Sequence, residues 1–320
     1  MYKSKLFTTF SIAVLLLILI VGCRKEETPE KRGVFVSTSA VTKITLDTAS
    51  NKISVTAEGD ADVVGAESIT ERGVVLGPTS KPTTSDNKIT AGSGTGNFKA
   101  NVTGLTYAAV YHVRAYVISN GQTYYGNDVN FLASAPIEII KNGDFTDATP
   151  ADAPTIGQMA FWKTDEVDDG TVLGRYDAGG SYGWVAWTWH LAKGIYQTVG
   201  TVNGNNAADF HISFSGRDDY DYWGSDPFVA VKLSVYDGND PTSRVTVDSA
   251  TVQFPSYGVW KDNQTVDFSW TAAKAAQYAG KNLVVEFDVL SALEAFGYTG
   301  YDDWDAYMAL DKVSVIQTLK

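Results

Sequence analysis

Apolar and polar residues alternate in short runs along most of the chain, and clusters of Gly, Asn, Asp and Pro interrupt them. Ile53 to Ala57, Tyr111 to Ile118, Phe210 to Phe214, Val229 to Tyr236 and Leu283 to Val289 are runs of this kind. A period of two sends successive side chains to opposite faces, so each run predicts a strand with one face against a core. Only Ala272 to Ala279 reads as helix, and it is a short stretch between strands without a wide apolar face. The predicted fold class is all-β.

The N-terminus breaks the alternation. An unbroken apolar run, Ile12 to Val21, follows Lys3 and Lys5 and ends at Gly22 and Cys23. It is shorter than the roughly 20 residues that cross a hydrocarbon core, and it stops at a cysteine instead of a basic flank. Residues 1–22 are therefore predicted to be a signal peptide, with a short transmembrane anchor as the competing reading. Ile20-Val21-Gly22-Cys23 resembles the lipobox of bacterial lipoproteins, which implies acylation of Cys23 and stable anchoring once more than one chain is attached. Cys23 is the one cysteine, so an intrachain disulfide, a cysteine zinc site and a thiol nucleophile are excluded. Residues 23–32 read as a tether. Its Arg24-Lys25-Glu26-Glu27 resembles the export signal of surface lipoproteins in glycan-degrading Gram-negative bacteria, and a solvated charged linker explains it as well. The expected location is the outer membrane, lipid-anchored and exposed at the cell surface.

Composition divides the remaining chain near Ala135. All eight tryptophans lie beyond it, and residues 135–320 hold 26 Asp plus Glu against 12 Lys plus Arg, while the whole chain carries −12. Two domains are predicted, 33–134 and 135–320. An acidic surface repels nucleic acid phosphates and anionic headgroups, so no nucleic acid partner is expected and membrane contact is assigned to the lipid alone.

Residues 33–134 hold about seven β runs with turn signals between them, the pattern of a two-sheet sandwich. Glu71-Arg72-Gly73-Val74-Val75, Lys81-Pro82-Thr83, Gly96-Asn97-Phe98, Leu105 with Tyr111-His112-Val113-Arg114-Ala115-Tyr116, and Tyr125-Gly126-Asn127 resemble fibronectin type III-like modules of bacterial surface proteins. The resemblance implies a spacer with a structural Tyr111. Arg114 and Tyr116 are candidate ligand contacts, although strand alternation accounts for them. Gly92-Ser93-Gly94-Thr95-Gly96 is no phosphate loop, because strand residues follow it instead of a helix.

In residues 135–320, Asn142-Gly143-Asp144-Phe145, then Gly194-Ile195-Tyr196-Gln197-Thr198-Val199, then Met308-Ala309-Leu310-Asp311-Lys312-Val313 resemble, in this order, carbohydrate-binding modules of the galactose-binding-like jelly-roll superfamily. The resemblance implies that the opening and closing strands are neighbours and that a structural Ca²⁺ sits near them. Thr146 stands where the family has an acid. Asp147, Asp311 and backbone carbonyls are the candidate oxygen ligands. Sugars stack their C–H faces on aromatic rings while carboxylates and amides meet their hydroxyls. Three places interleave such residues. Trp187 and Trp189 share one face of a predicted strand, as core or groove. Asp219, Tyr222 and Trp223 lie on a loop, and so do Tyr301, Asp303 and Trp304; loop aromatics of this density mark binding surfaces or fold back onto the sandwich.

A hydrolase needs two carboxylates about 5 to 9.5 Å apart. Glu286-Phe287-Asp288 begins the Glu-x-Asp-x-x-Glu pattern of laminarinase-type jelly rolls, but Ser291 stands where its second glutamate belongs. His112, His190 and His211 lie on separate predicted strands without metal or triad spacing. The expectation is a non-catalytic surface lipoprotein whose partner is a glycan, captured for an outer-membrane transporter or enzymes. An adhesin or structural protein is the alternative, and an unconventional glycoside hydrolase a further one. Two short patterns remain, Asp47-Thr48-Ala49 and Asp248-Ser249-Ala250, both similar to the O-glycosylation acceptor of some Gram-negative bacteria. Cys23→Ser is expected to shift the chain from the membrane to the soluble fraction and to abolish incorporation of labelled fatty acid; unchanged partition would remove the anchor.

Overall fold

The computed structural model describes residues 33–65, 68–148, 159–165, 173–189, 194–219, 228–254, 257–290 and 307–320. The protein is all-β: nineteen strands and one α-helix are described. Among these residues two compact units form, one from 33–42, 56–102 and 111–131, the other from 43–55, 103–110 and 132–320. Among the described residues no strand ladder crosses Ala135.

In the N-terminal segment, β1 (Gly33–Thr38), β2 (Thr42–Asp47) and β3 (Lys52–Val64) order as β1-β3-β2, with β6 (Gly96–Thr106) also on β3. A second sheet holds β4 (Ile69–Gly77), β5 (Asn87–Thr90), β7 (Ala109–Ser119), β8 (Gln122–Tyr125) and β9 (Val129–Ala133). Alternation does the sorting: in β6, Phe98, Ala100 and Val102 are buried and their neighbours exposed. The sheets touch at Gly59 of β3, where a Cβ would lie 2.6 Å from the Phe98 ring and 2.7 Å from the Ala115 methyl. Tyr116 is fully buried and donates to Glu71 at 2.6 Å. Arg114 stacks on Tyr125 and donates to the Gly126 carbonyl at 3.0 Å. Both of these candidate ligand contacts serve the scaffold.

The C-terminal segment contains β10 (Ile137–Glu138), β11 (Leu173–Asp177), β12 (Trp184–Trp189), β13 (Ile195–Thr201), β14 (Ala208–Asp218), β15 (Phe228–Tyr236), β16 (Val245–Gln253), β17 (Lys261–Trp270), α1 (Ala272–Gln277), β18 (Asn282–Leu290) and β19 (Tyr307–Leu319). One sheet orders β11-β12-β19-β14-β17, with β10 on β19; the other orders β13-β18-β15-β16. Phe210, Ile212, Phe214, Leu310 and Val315 of the first share a core with Val229, Val231, Leu233, Val285 and Phe287 of the second. The Phe214 and Phe287 rings meet edge to face at 5.5 Å across the interior. Thr271 caps α1 by accepting from the Lys274 amide at 3.1 Å.

The three short motifs now have physical causes. Asn142 adopts φ +52°, its side-chain oxygen accepts from the Asp147 amide at 2.8 Å, and its amide donates to the Asp147 and Ala160 carbonyls. Gly143 is required because a Cβ there would lie 1.9 Å from the Val313 carbonyl oxygen. Phe145 is fully buried against Trp162, whose indole N–H donates to the Asn142 carbonyl at 2.8 Å. Gln197, 2% exposed, both donates to and accepts from the Lys141 backbone at 2.9 Å, so a side chain substitutes for a strand partner. The opening β10 pairs with the closing β19, as the resemblance implied.

Gly143→Ala should destabilise the chain by about 1–3 kcal/mol, the range for overpacking. The exposed neighbour change Asp144→Ala should stay within about 0.5 kcal/mol. Urea unfolding followed by tryptophan fluorescence checks both.

Candidate functional site

Core packing on one face of the six-stranded sheet dictates what stands on the other. Ala186 of β12, Phe214 of β14 and Met308 and Leu310 of β19 point into the core. Alternation therefore places Trp187, Ala309, Asp311, Ser215 and Arg217 on the outer face. The register is explicit: Trp187 pairs with Ala309, and Ala309 with Arg217, so the three form a row across β12, β19 and β14. Strand spacing sets Trp187 and Arg217 about 10 Å apart at their Cα atoms. Asp311 stands opposite Ser215.

A second group converges on this face from the ends of β12 and β17. Tyr182 and Trp260 stack with centroids 4.1 Å apart and planes 10° from parallel. The Lys312 ammonium sits 4.0 Å from the Tyr182 centroid, and the Arg217 guanidinium 5.0 Å from that of Trp260. A stacked ring and an ammonium at the same distance cannot share one face of Tyr182. Tyr182 is therefore wedged between Trp260 and Lys312, and is an internal brace and not a free platform. Asp262 fixes the brace, accepting from the Tyr182 hydroxyl at 3.0 Å and the Ser215 hydroxyl at 2.6 Å, with Lys312 at 3.6 Å. Those two hydrogen bonds hold the Asp262 carboxyl below its ordinary range, and burial together with Asp262 pushes the Tyr182 hydroxyl up. Trp187 and Trp260 stay partly exposed. By the same argument Trp260 is held between Tyr182 and Arg217, so what stays open beside the carboxylate and the two cations is the exposed part of Trp187 and the uncovered part of Trp260.

Asp311 is the costly member. It is 1% exposed, its Oδ1 has no hydrogen-bond partner, and burial raises it to about 6, with Asp144 and Asp262 adding and Lys312 opposing. Asp147, its suggested metal partner, is exposed in the opening turn. Among the described residues no group of three or more His, Cys, Asp and Glu side chains is placed to hold a metal, so a Ca²⁺ at Asp147 and Asp311 would draw its remaining oxygens from backbone carbonyls.

Asp219 follows β14 and accepts from Arg217 Nε at 2.5 Å. Trp189 pairs with Tyr307 in the β12–β19 ladder, and the Trp189 side chain lies outside the described residues. Tyr222, Trp223, Tyr301, Asp303 and Trp304 also lie outside them, as does Cys23. Sequence reasoning missed Tyr182, Trp260, Asp262 and Lys312 as a group. Tyr182 stood in the tryptophan-rich run, but nothing local joins it to Trp260.

Glu286 and Asp288 face away from the core on the four-stranded sheet, whose Val285, Phe287 and Val289 face inward as the alternation predicts. They are not exposed. Arg244 grips Glu286, 5% exposed, through two 2.8 Å hydrogen bonds, reaches Asp165 at 2.5 Å, and lies 4.1 Å over the Tyr196 ring. Burial, then Asp165, pushes the Tyr196 hydroxyl up to about 12. Asp288 pairs with Lys232.

No protein-family model and no curated protein matches the chain. Among solved structures it is similar to the N-terminal CBM22-1–CBM22-2 tandem domain of Xyn10C from Paenibacillus barcinonensis, at 12% identity and TM-score 0.35, covering 90% of this chain and 92% of that one. It is also similar to the CBM22-1–GH10 modules of Clostridium thermocellum xylanase 10B complexed with xylohexaose, at 15% and 0.31, over 56% of this chain and 28% of that one. A third is the K3 cleaved adhesin domain of Lys-gingipain from Porphyromonas gingivalis, at 14% and 0.29, over 57% and 99%. Scores this low bring nothing of those proteins' ligands to this chain.

The raised Asp311 carboxyl keeps, in the folded chain, a proton that the unfolded chain releases above its ordinary value of 3.8. Stability therefore falls as pH rises from about 4 to about 6 on this account. Asp311→Asn cannot ionise, so its stability relative to the parent should climb through that window in urea unfolding at pH 4, 5, 6 and 7. A constant difference would refute the assignment.

Proposed function

We propose that the chain binds carbohydrate, without covalent chemistry, on the outer face of the six-stranded sheet. The observation that carries this reading is the braced array itself: partly exposed Trp187 and Trp260 on one face with Tyr182, Asp262, Lys312 and Arg217. A pyranose offers an apolar C–H face and a rim of hydroxyls. Rings fixed before binding lose little side-chain entropy when a sugar stacks on them, and the nearby carboxylate and ammonium meet hydroxyls in the ring plane. The segments holding Tyr222, Trp223, Tyr301, Asp303 and Trp304 join the sheet at the end where Asp218 pairs with Met308, beside the Trp187 row.

A binding role is favoured over hydrolysis because the only carboxylate pair that sequence reasoning nominated is occupied, Glu286 by Arg244 and Asp288 by Lys232. In this reading the chain is an exported lipoprotein, anchored through Cys23, whose fibronectin-like segment is a spacer and whose catch serves a transporter or enzyme at the outer membrane.

Affinity electrophoresis against a polysaccharide panel tests the site. Retention is expected on at least one glycan, with Trp187→Ala and Trp260→Ala each weakening it about tenfold, equivalent to roughly 1.4 kcal/mol. No retention on any glycan would overturn the carbohydrate reading in favour of a protein-binding adhesin. Full retention in both variants, with loss in Trp223→Ala or Trp304→Ala, would move the site to the loops.

A further inference from the structure

The Asp-Thr-Ala and Asp-Ser-Ala patterns occur once each, and the structure treats them differently. Thr48 begins the four-residue turn Thr48 to Asn51 between β2 and β3, and all four residues are exposed. Asn51 at φ +53° closes the turn. The Asp47 carboxylate is folded back onto it, accepting from the Ala49 amide at 3.0 Å and from the Ser50 hydroxyl at 2.7 Å. That carboxylate is therefore spent on shaping the turn, and the Thr48 hydroxyl is left facing solvent beside the small side chain of Ala49.

Ser249 is exposed but lies inside the β16 ladder, paired with Lys232 of β15. Its Asp248 is engaged by Lys274 at 2.6 and 2.7 Å and by the Trp270 indole at 2.5 Å. An enzyme that modifies a side chain must enclose the acceptor peptide on several sides. A hairpin tip permits this without breaking ladder hydrogen bonds, whereas drawing Ser249 into an active site would strip β16 from its sheet and break the Asp248 contacts.

We propose that Thr48 is an O-glycosylation site, receiving sugar from a phosphate-linked glycosyl donor, and that Ser249 is not. In the transfer the Thr48 oxygen bonds to the anomeric carbon, the anomeric carbon–phosphate oxygen bond breaks, the hydroxyl proton passes to a base of the transferring enzyme, and the phosphate leaves. No oxidant or reductant is involved. The proposal rests on the reading that the chain is exported, since it requires meeting that donor during or after export.

The test is intact-mass measurement and peptide mapping of the full chain isolated from its own cell, with Thr48→Ala and Ser249→Ala beside it and fractionation of the same samples. The expected result is a mass increment of whole sugar residues mapped to Thr48, lost in Thr48→Ala and retained in Ser249→Ala. Bare Thr48 on an exported chain, or an increment lost only in Ser249→Ala, overturns the proposal alone. A bare chain recovered from the cytoplasm overturns the export reading and the proposal with it. Both substitutions replace exposed residues, so unfolding does not obscure the outcome.

Discussion

The register of β19 between β12 and β14 is the constraint on which the second sandwich and its candidate site depend. Met308 and Leu310 must enter the core, and period two then leaves Ala309 and Asp311 no choice of face. Had the alternation continued, Lys312 would turn inward and Val313 outward. The chain inserts one extra residue instead. The ladder to β14 skips between Ser213/Ser314 and Ser215/Asp311, Lys312 takes φ +53°, and Val313 and Val315 return to the core. The bulge both rescues the core and throws Lys312 out against Tyr182. A packing requirement and a site residue thus have one cause.

The two outer faces of this sandwich settle their charges in opposite ways. On the four-stranded sheet Arg244 lies over Tyr196 and closes on Glu286 and Asp165, so cations and acids are consumed by one another under cover. Removing one partner of such a buried pair typically costs about 3–5 kcal/mol because it strands the other charge, while the intact pair contributes little net stability. This face is sealed. On the six-stranded sheet the ion pair between Lys312 and Asp262 is half exposed and worth little by itself, at most about 1 kcal/mol. Its effect is geometric, since it holds one side of Tyr182 while Trp260 holds the other. Ala309, Asp311 and Ser215 are buried on this face as well, so what distinguishes it is the partly exposed Trp187 and Trp260 and the exposed Lys312.

Strand positions were legible because period two is a local property, and the core faces of Phe210 to Phe214 and Leu283 to Val289 follow from it directly. The meaning of Asn142-Gly143 was not, because Gly143 is needed by a carbonyl of Val313 at the other end of the domain. Nor was the Tyr182 and Trp260 stack, which joins a turn before β12 to a residue before β17, strands that are not neighbours in the sheet. Arg244 stood in a short polar stretch with nothing to single it out, yet two acids at alternate positions of one strand, Glu286 and Asp288, already required cations opposite them if that face were buried.

The saturation of the braced array also bears on what it can bind well. Asp262 already accepts from Tyr182 and Ser215, and Arg217 already donates to Asp219, so a sugar hydroxyl that joins them exchanges one hydrogen bond for another and gains little. The favourable remainder comes from ring contact, which is modest for each ring, about 0.5–1.5 kcal/mol beyond the area covered. A monosaccharide on one ring would be held weakly on that arithmetic. On the proposed reading an extended glycan engages Trp187 and Trp260 together, and each further contact forms at the high effective concentration set by the first. On the proposed reading, the same wiring that keeps Tyr182 from serving as a platform directs the protein toward polymers and away from free sugars.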